Sequence, residues 1–203
     1  MTPIQRAMFD RVYRANLWRG QESLSGPGSG PVATRNTRAS LLALVDLVGG
    51  TFLDVGCGDG YWMPDLPGYI GIDPSTRAID LHRERHPGRD LRVDHGEALP
   101  TADLAFSRDA MQHCSLADGL DTLARILASA PRWLVASTYV DGRNDDILTA
   151  LDRNGEPTAY RPDLSAAPFG LGQPALLIFD GWGYEYPDDR RDRGKHLGAW
   201  RLR

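Results

Sequence analysis

The clearest chemical potential lies in Asp54-Val55-Gly56-Cys57-Gly58-Asp59-Gly60, which closes a short apolar run begun at Thr51 and is followed by a second acid, Asp73. Asp73 falls roughly 20 positions after Asp54, where a nucleotide-binding strand pair would place an acid. Glycines let the chain turn sharply and let a ligand lie against bare backbone. A carboxylate ending the next strand offers two acceptor oxygens to a pair of ribose hydroxyls, and a helix starting after Gly60 would add free amides. Taken alone, the glycines also make a plain tight turn. The dinucleotide fingerprint GxGxxG is the chemical competitor, but the spacing here is GxGxG. Asp54 and Asp59 beside the glycines suit a cationic ligand better than a pyrophosphate.

A second group follows the fourth apolar run: Arg108, Asp109 and His113. Ligands of open α/β sheets sit beyond the carboxyl ends of the strands, so these residues would face an acceptor. His113 or Asp109 could take a proton, and imidazole is the better match to neutral pH. Each also has a bland role, His113 as a packing residue beside Cys114 and Asp109 as a helix cap. Glu22, Asp109, His113, Asn144, Asp145 and Asp146 are hard donors from three loops, a set that admits magnesium on Asp109, Asp145 and Asp146, although no fixed-spacing metal motif is present. Aromatic faces are plentiful at Tyr13, Trp18, Trp62, Tyr139, Tyr160, Trp182, Tyr184 and Tyr186. They suit a sugar ring or a planar metabolite, and equally core packing.

These residues need elements to position them. Apolar spacing predicts a helix from Met8 to Trp18, a Gly/Pro/Ser-rich loop from Arg19 to Pro31, and a helix from Thr37 to Val48. That loop reads either as an open-amide ligand lid or as a linker. Strands are predicted at 51–55, 69–72, 91–93, 102–107 and 132–139, with helices at 75–85 and 116–130. Between the first two strands, Pro64 and Pro67 leave room for about two helical turns at most. Residues 140–173 read as a substrate-facing insertion, partly helical near 146–151. Strands at 175–179 and 197–202 flank an acidic and basic stretch, Asp188 to Arg193. The alternation predicts one α/β domain over 1–203, with residues 1–36 as an N-terminal helix and lid.

Composition sets outer limits. The 203 residues are 41% hydrophobic and 25% charged, enough to bury one soluble core. A net charge of −4 disfavours nucleic acid and anionic membrane as partners, even with Arg190, Arg191 and Arg193 clustered, because Asp188, Asp189 and Asp192 offset them. Cys57 and Cys114 form no zinc or disulfide pattern, which fits a reducing cytoplasm. Arg6, Asp10, Arg11 and Arg14 interrupt the apolar core that a signal peptide would need, and no run has the length of a membrane span.

The segment Asp54 to Gly60 resembles the first motif of class I S-adenosylmethionine-dependent methyltransferases, D-x-G-x-G-x-G, at all four fixed positions. The resemblance implies a Rossmann-like fold: a mostly parallel seven-stranded sheet with an antiparallel C-terminal strand and an N-terminal helical cap. It also implies S-adenosylmethionine as cofactor, the glycine loop on its methionine part, Asp73 on its ribose, and Asp94 or Glu97 on its adenine. The expected cofactor set is Ser29, Asp54, Gly56, Gly58, Asp59, Gly60, Trp62, Asp73, Pro74, Asp94, Glu97 and Arg108. Asn16, Trp18, Glu22, Ser23 and Ser25 to Ser29, then Arg108-Asp109, His113, Asn144, Asp146-Ile147, Arg161-Pro162 and Pro168-Phe169, look similar to a small bacterial subgroup. The whole pattern is similar to compact actinobacterial sugar O-methyltransferases, the methylmannose type included. This implies a small-molecule acceptor, a sugar or mannoside hydroxyl, held by Trp18, Glu22, Tyr139, Asn144, Tyr160 and Arg161. An amine or carboxylate acceptor, and a non-catalytic cofactor-binding module, are the competing expectations; the oligomeric state is left open.

Overall fold

A computed structural model describes residues 1–145, 151–180 and 194–203. Helix α1 (Pro3–Ala15) starts on the Thr2 side chain, which accepts from the Gln5 amide, and stops at Asn16 in the left-handed region. Asn16 is held there by its amide side chain, which donates to the Gly20 carbonyl and accepts from the Gly20 amide. The expected run to Trp18 is therefore cut short by a side-chain cap, and Trp18 turns away from the helix. Helix α2 (Pro31–Val48) begins six residues before the expected Thr37, because Pro31 at the first helical position has its φ preset and loses no needed donor. It buries Leu41, Leu44, Val45 and Val48 along one face and ends at Gly49 with φ 64.

The strands are β1 (Phe52–Val55), β2 (Tyr69–Asp73), β3 (Asp90–Val93), β4 (Leu104–Ser107), β5 (Trp133–Tyr139), β6 (Leu176–Phe179) and β7 (Lys195–Arg201). Helix α3 (Thr76–Arg85) connects β2 to β3, and α4 (Leu116–Ala128) connects β4 to β5. The sheet order is β3-β2-β1-β4-β5-β7-β6. The five strands from β3 to β5 pair in parallel, whereas β7 runs antiparallel to both β5 and β6. This is the expected Rossmann-like arrangement. Alternation along the strands splits the core in two: Phe52, Leu104 and Phe106 pack with α2, while Leu53, Ala105 and Leu134 pack with Leu123 and Ile126 of α4. Burying a side chain such as Ile126 stabilises by about 1.5–3 kcal/mol. Part of the 140–173 region also lies on the α4 side, with Tyr160, Leu164 and Phe169 in its core. The helix expected near 146–151 lies mostly outside the described residues, as do Trp182, Tyr184, Tyr186 and the charged stretch 188–193. Among the described residues, no helix is long and apolar enough to cross a membrane.

The crossover from β1 to β2 carries no helix at all, which corrects both the expected short helix and its free amides after Gly60. Pro64 and Pro67 remove donors and restrict the residues before them. Side chains supply what a helix would have satisfied internally. Arg89 donates to the carbonyls of Met63 and Pro64, and to Asp65. His82, fully buried, contacts the Gly58 carbonyl through Nδ1 at 3.2 Å and the Arg89 guanidinium through Nε2 at 2.9 Å. Burial and the charge of Arg89 lower its pKa to about 4, so it is neutral near pH 7. A Cβ at Gly60 would stand 2.4 Å from the His82 ring, so this position must be glycine for packing reasons.

Candidate active site

A cavity of about 400 Å³ opens beyond the carboxyl ends of β1, β2 and β4, within the range of small-molecule sites. Residues 25–29 line its other side. The turn after β1 brings Gly56 (φ 82) and Gly58 (φ 59) against it. A Cβ on Gly58 would meet Ser25 Oγ at 2.4 Å and the Tyr13 hydroxyl at 2.9 Å, so the lid and the glycine turn touch directly.

At this end three carboxylates line the cavity: Asp54, Asp73 and Asp94. Asp73 accepts from the Ser75 amide on Oδ1 at 2.8 Å and from the Gly58 amide on Oδ2 at 2.9 Å. Each of its oxygens keeps a further acceptor position. Burial pushes its carboxyl up to about 7 against those two bonds, with Asp94 and Asp59 adding repulsion. Asp54 accepts from the Tyr69 hydroxyl at 2.8 Å and is also raised to about 7, chiefly by burial. Asp94 differs. Burial pushes it up, but the paired guanidinium of Arg125, at 2.7 and 3.0 Å, outweighs that and lowers it. Trp62, Pro74 and Ser29 complete the part of the expected cofactor set that lines this cavity with Arg108.

Three expected cofactor residues do not reach the cavity. Asp59 is turned toward the lid, accepting from Ser23 Oγ at 2.9 Å, the Leu24 amide at 2.8 Å and Ser25 Oγ at 3.1 Å, with Arg85 at 2.9 Å. It latches the loop rather than a ligand. Gly60 packs on His82. Glu97 is exposed and accepts from the His95 amide, so of the two candidate adenine acids only Asp94 lines the cavity.

The far end is built from β4, β7 and the residue after β6. Arg108, Asp180 and Lys195, all buried, form one charge cluster with the half-buried Asp109. Arg108 holds Asp180 through Nε and Nη2 at 2.9 Å, reaches the Gly28 carbonyl at 3.1 Å, and lies over the Trp62 ring. Lys195 Nζ donates to Asp109 Oδ2 at 2.7 Å. Burial pushes Asp109 up, but Lys195 and Arg108 together hold it far below the ordinary carboxylate range. This corrects its expected role as a base, because an acid held ionised by two cations has little affinity for a proton. Sequence reasoning missed Lys195 and Asp180. The signal was available: Asp180 ends a strand running parallel to β5, and Lys195 begins an antiparallel one, so both fall on the carboxyl edge.

His113 packs on Trp18, whose ring centroid is 5.2 Å away, and it feels the charges of Asp109 and Lys195. Its Nδ1 is 2.7 Å from the Thr158 carbonyl, which can only accept, so Nδ1 carries the proton and Nε2 the lone pair. Among the described residues Nε2 is met only by the Gln112 amide at 3.3 Å, and Gln112 is oriented by the Tyr139 hydroxyl. Burial lowers the His113 pKa, opposed by the Thr158 carbonyl and Asp109, which leaves a neutral imidazole near pH 7.

Of the expected acceptor-holding residues, Trp18 lines the cavity and the others do not. Glu22 is exposed on the outer side of the lid. Tyr139 is buried behind Gln112, and Tyr160 is in the α4-side core. Asn144 ties its loop to residues 163 and 167, and Arg161 pairs with Asp141 over the Tyr139 ring. These side chains shape the loop that presents Thr158. The expected magnesium set does not assemble either: Asp109 is taken by Lys195 and Arg108, Asp145 is exposed, and Asp146 lies outside the described residues. Among the described residues, no group of three His, Cys, Asp or Glu is placed to hold a metal ion.

Residues 53–135 match a family model described as a methyltransferase domain. A tRNA U34 carboxymethyltransferase from Haemophilus influenzae is 30% identical over 125 residues, 54% of this chain and 39% of that protein. Another from Shewanella sediminis is 32% identical over 121 residues, 52% and 37%. The chain thus spans about two-fifths of the length of the curated relatives it matches. Among solved structures, a magnesium protoporphyrin IX methyltransferase from Synechocystis with bound SAH superposes with a TM-score of 0.64 over 97% of both chains, at 16% identity. The methyltransferase domain of a bacterial Hen1 protein gives 0.57 over 84% of this chain and 100% of that one, also at 16%. With the glycine turn, the acid ending β2 and the β3-β2-β1-β4-β5-β7-β6 sheet, the chain has the fold of these methyltransferases, and its residues 53–135 match the methyltransferase-domain model.

Proposed function

We propose that this chain transfers a methyl group from S-adenosylmethionine to a hydroxyl of a small molecule, with His113 as the general base. The observation that carries this reading is the His113 imidazole, held by Thr158 with its Nε2 lone pair available and its pKa lowered by burial. The cofactor fits the other end of the cavity. The two remaining acceptor positions of Asp73 suit the ribose hydroxyls, Asp94 the adenine, and the Gly56–Gly58 backbone the methionine part. When bound, S-adenosylmethionine supplies a methyl on a sulfonium sulfur, which becomes a neutral thioether as the acceptor oxygen takes the methyl. His113 Nε2 receives the proton that the hydroxyl gives up, displacing the long contact from Gln112. Positioning supplies much of the remaining rate.

A sugar is the acceptor class we favour, because the Trp18 and Trp62 faces in the cavity suit its apolar CH patches. A tRNA nucleoside is the second reading, favoured by the similarity to the tRNA U34 carboxymethyltransferases and opposed by the net charge of −4. Calorimetric titration with S-adenosylmethionine comes first, followed by methyl transfer assayed on mannosides, other alcohols, amines and tRNA. Binding with turnover on an alcohol is the expected result. Turnover on tRNA alone replaces the acceptor, and absence of cofactor binding overturns the methyltransferase reading.

A further inference from the structure

Two residues that line the cavity together with His113, Lys195 and Trp18, carry donor hydrogens left over. Lys195 is buried, its side chain only 4% exposed, and it lines the cavity. An ammonium has three hydrogens, and here one goes to Asp109 at 2.7 Å and one faces Asp180 at 3.4 Å. The third meets no partner among the described residues. Trp18 Nε1 is likewise buried without a partner among the described residues. The carboxylates around Lys195 are otherwise filled: Asp109 Oδ1 accepts from Ser137 Oγ, Asp109 Oδ2 has Arg108 at 3.3 Å, and Asp180 accepts from Arg108 and Thr37. A cluster serving only to anchor β7 would leave no donor at a cavity wall, since an unmet buried donor is costly.

We propose that Lys195 is a specificity-determining residue that holds the acceptor's nucleophilic oxygen beside His113, with Trp18 Nε1 donating to a neighbouring acceptor oxygen. This rests on the methyltransferase reading above and deepens it. The arrangement selects oxygen nucleophiles: Lys195 stabilises the negative charge that grows on oxygen as His113 takes its proton. An amine entering as its ammonium has no lone pair to present and no acceptor for its hydrogens on Lys195. The charged and titratable groups facing Lys195 are Asp109, Asp180, Arg108 and His113, and the two acids balance the two cations.

The test uses the full chain saturated with S-adenosylhomocysteine and 4-nitrophenol as probe, whose phenolate is read by visible absorbance. The expected result is a bound probe with its pKa lowered by about one unit, the size produced by a cation within hydrogen-bonding distance. Lys195→Gln is expected to abolish the shift. Should that variant unfold, Lys195→Arg keeps the charge while its planar fork is taken up by the two carboxylates, so most of the shift is lost at an unchanged Tm. Trp18→Phe is expected to weaken probe binding several-fold and leave the shift. An equal shift in both Lys195 variants, or no probe binding in a protein that still takes up S-adenosylhomocysteine, overturns this inference and leaves the methyltransferase reading standing. Failure to bind S-adenosylhomocysteine overturns both.

Discussion

The two ends of the cavity use the same residue type in opposite ways. Asp54 and Asp73 are buried without a direct cation partner, and burial raises both to about 7. Asp180 is equally buried and Asp109 is half-buried, yet Arg108 and Lys195 hold both below the ordinary range. An acid of the first kind is incomplete until a ligand brings donors or positive charge. An acid of the second kind is already satisfied and serves to place its cations. Burial alone therefore does not set the charge of these carboxylates; the partner does.

The largest expected effect lies at the His113 end of the cavity. His113→Ala is expected to lower kcat by about 10²–10⁴-fold with S-adenosylmethionine affinity nearly unchanged, measured by turnover and calorimetry in parallel. A matching loss of cofactor affinity would merge the two ends into one site. Asp73→Ala is expected to weaken cofactor binding by about 100-fold, the loss of two hydrogen bonds to a charged acceptor, at roughly 1.5 kcal/mol or more each. Unchanged affinity in that variant would remove the ribose assignment.

A smaller effect is expected from the latch. Asp59→Asn should speed cofactor release by about tenfold, seen in stopped-flow, because it weakens bonds to Ser23, Leu24 and Ser25 while leaving the cavity wall intact. The raised acids give a pH dependence of definite sign. Their folded pKa exceeds the unfolded value near 4, so their contribution to the stability of the cofactor-free domain is greatest at low pH and falls as pH rises from about 4 to about 7. A ligand that favours the ionised forms must then displace protons. Cofactor affinity should climb with pH up to about 7 and level off above, by at most about tenfold per unit for each group. A flat profile would mean that neither acid meets the ligand. The smallest effect belongs to Glu22→Gln and Glu97→Gln, both exposed, where turnover and affinity should stay within assay error.

The fold was largely legible in the sequence. Strand and helix order came from apolar runs and from breakers such as the Gly/Pro/Ser-rich stretch after Arg19, and the sheet type came from their alternation. Errors clustered where a side chain overrode local spacing. Asn16 capped α1 early, and Arg89 with His82 replaced a helix after Gly60. Acidic residues of the motif could be listed but not sorted. Asp54 and Asp59 look alike in sequence, yet one faces the cavity and the other holds the lid.

The sequence by itself determined the glycine turn, the acid fifteen residues from the Gly58 amide that it accepts from, and the strands that carry them. Their geometry is local and rests on backbone, so a short contiguous pattern specifies it. Only the tertiary structure decided the charge cluster at the other end. Arg108 meets Asp180 across 72 positions, and Lys195 meets Asp109 across 86. No local preference encodes such pairs, since each exists only once β7 reverses direction and brings its first residue to the edge where the parallel strands end.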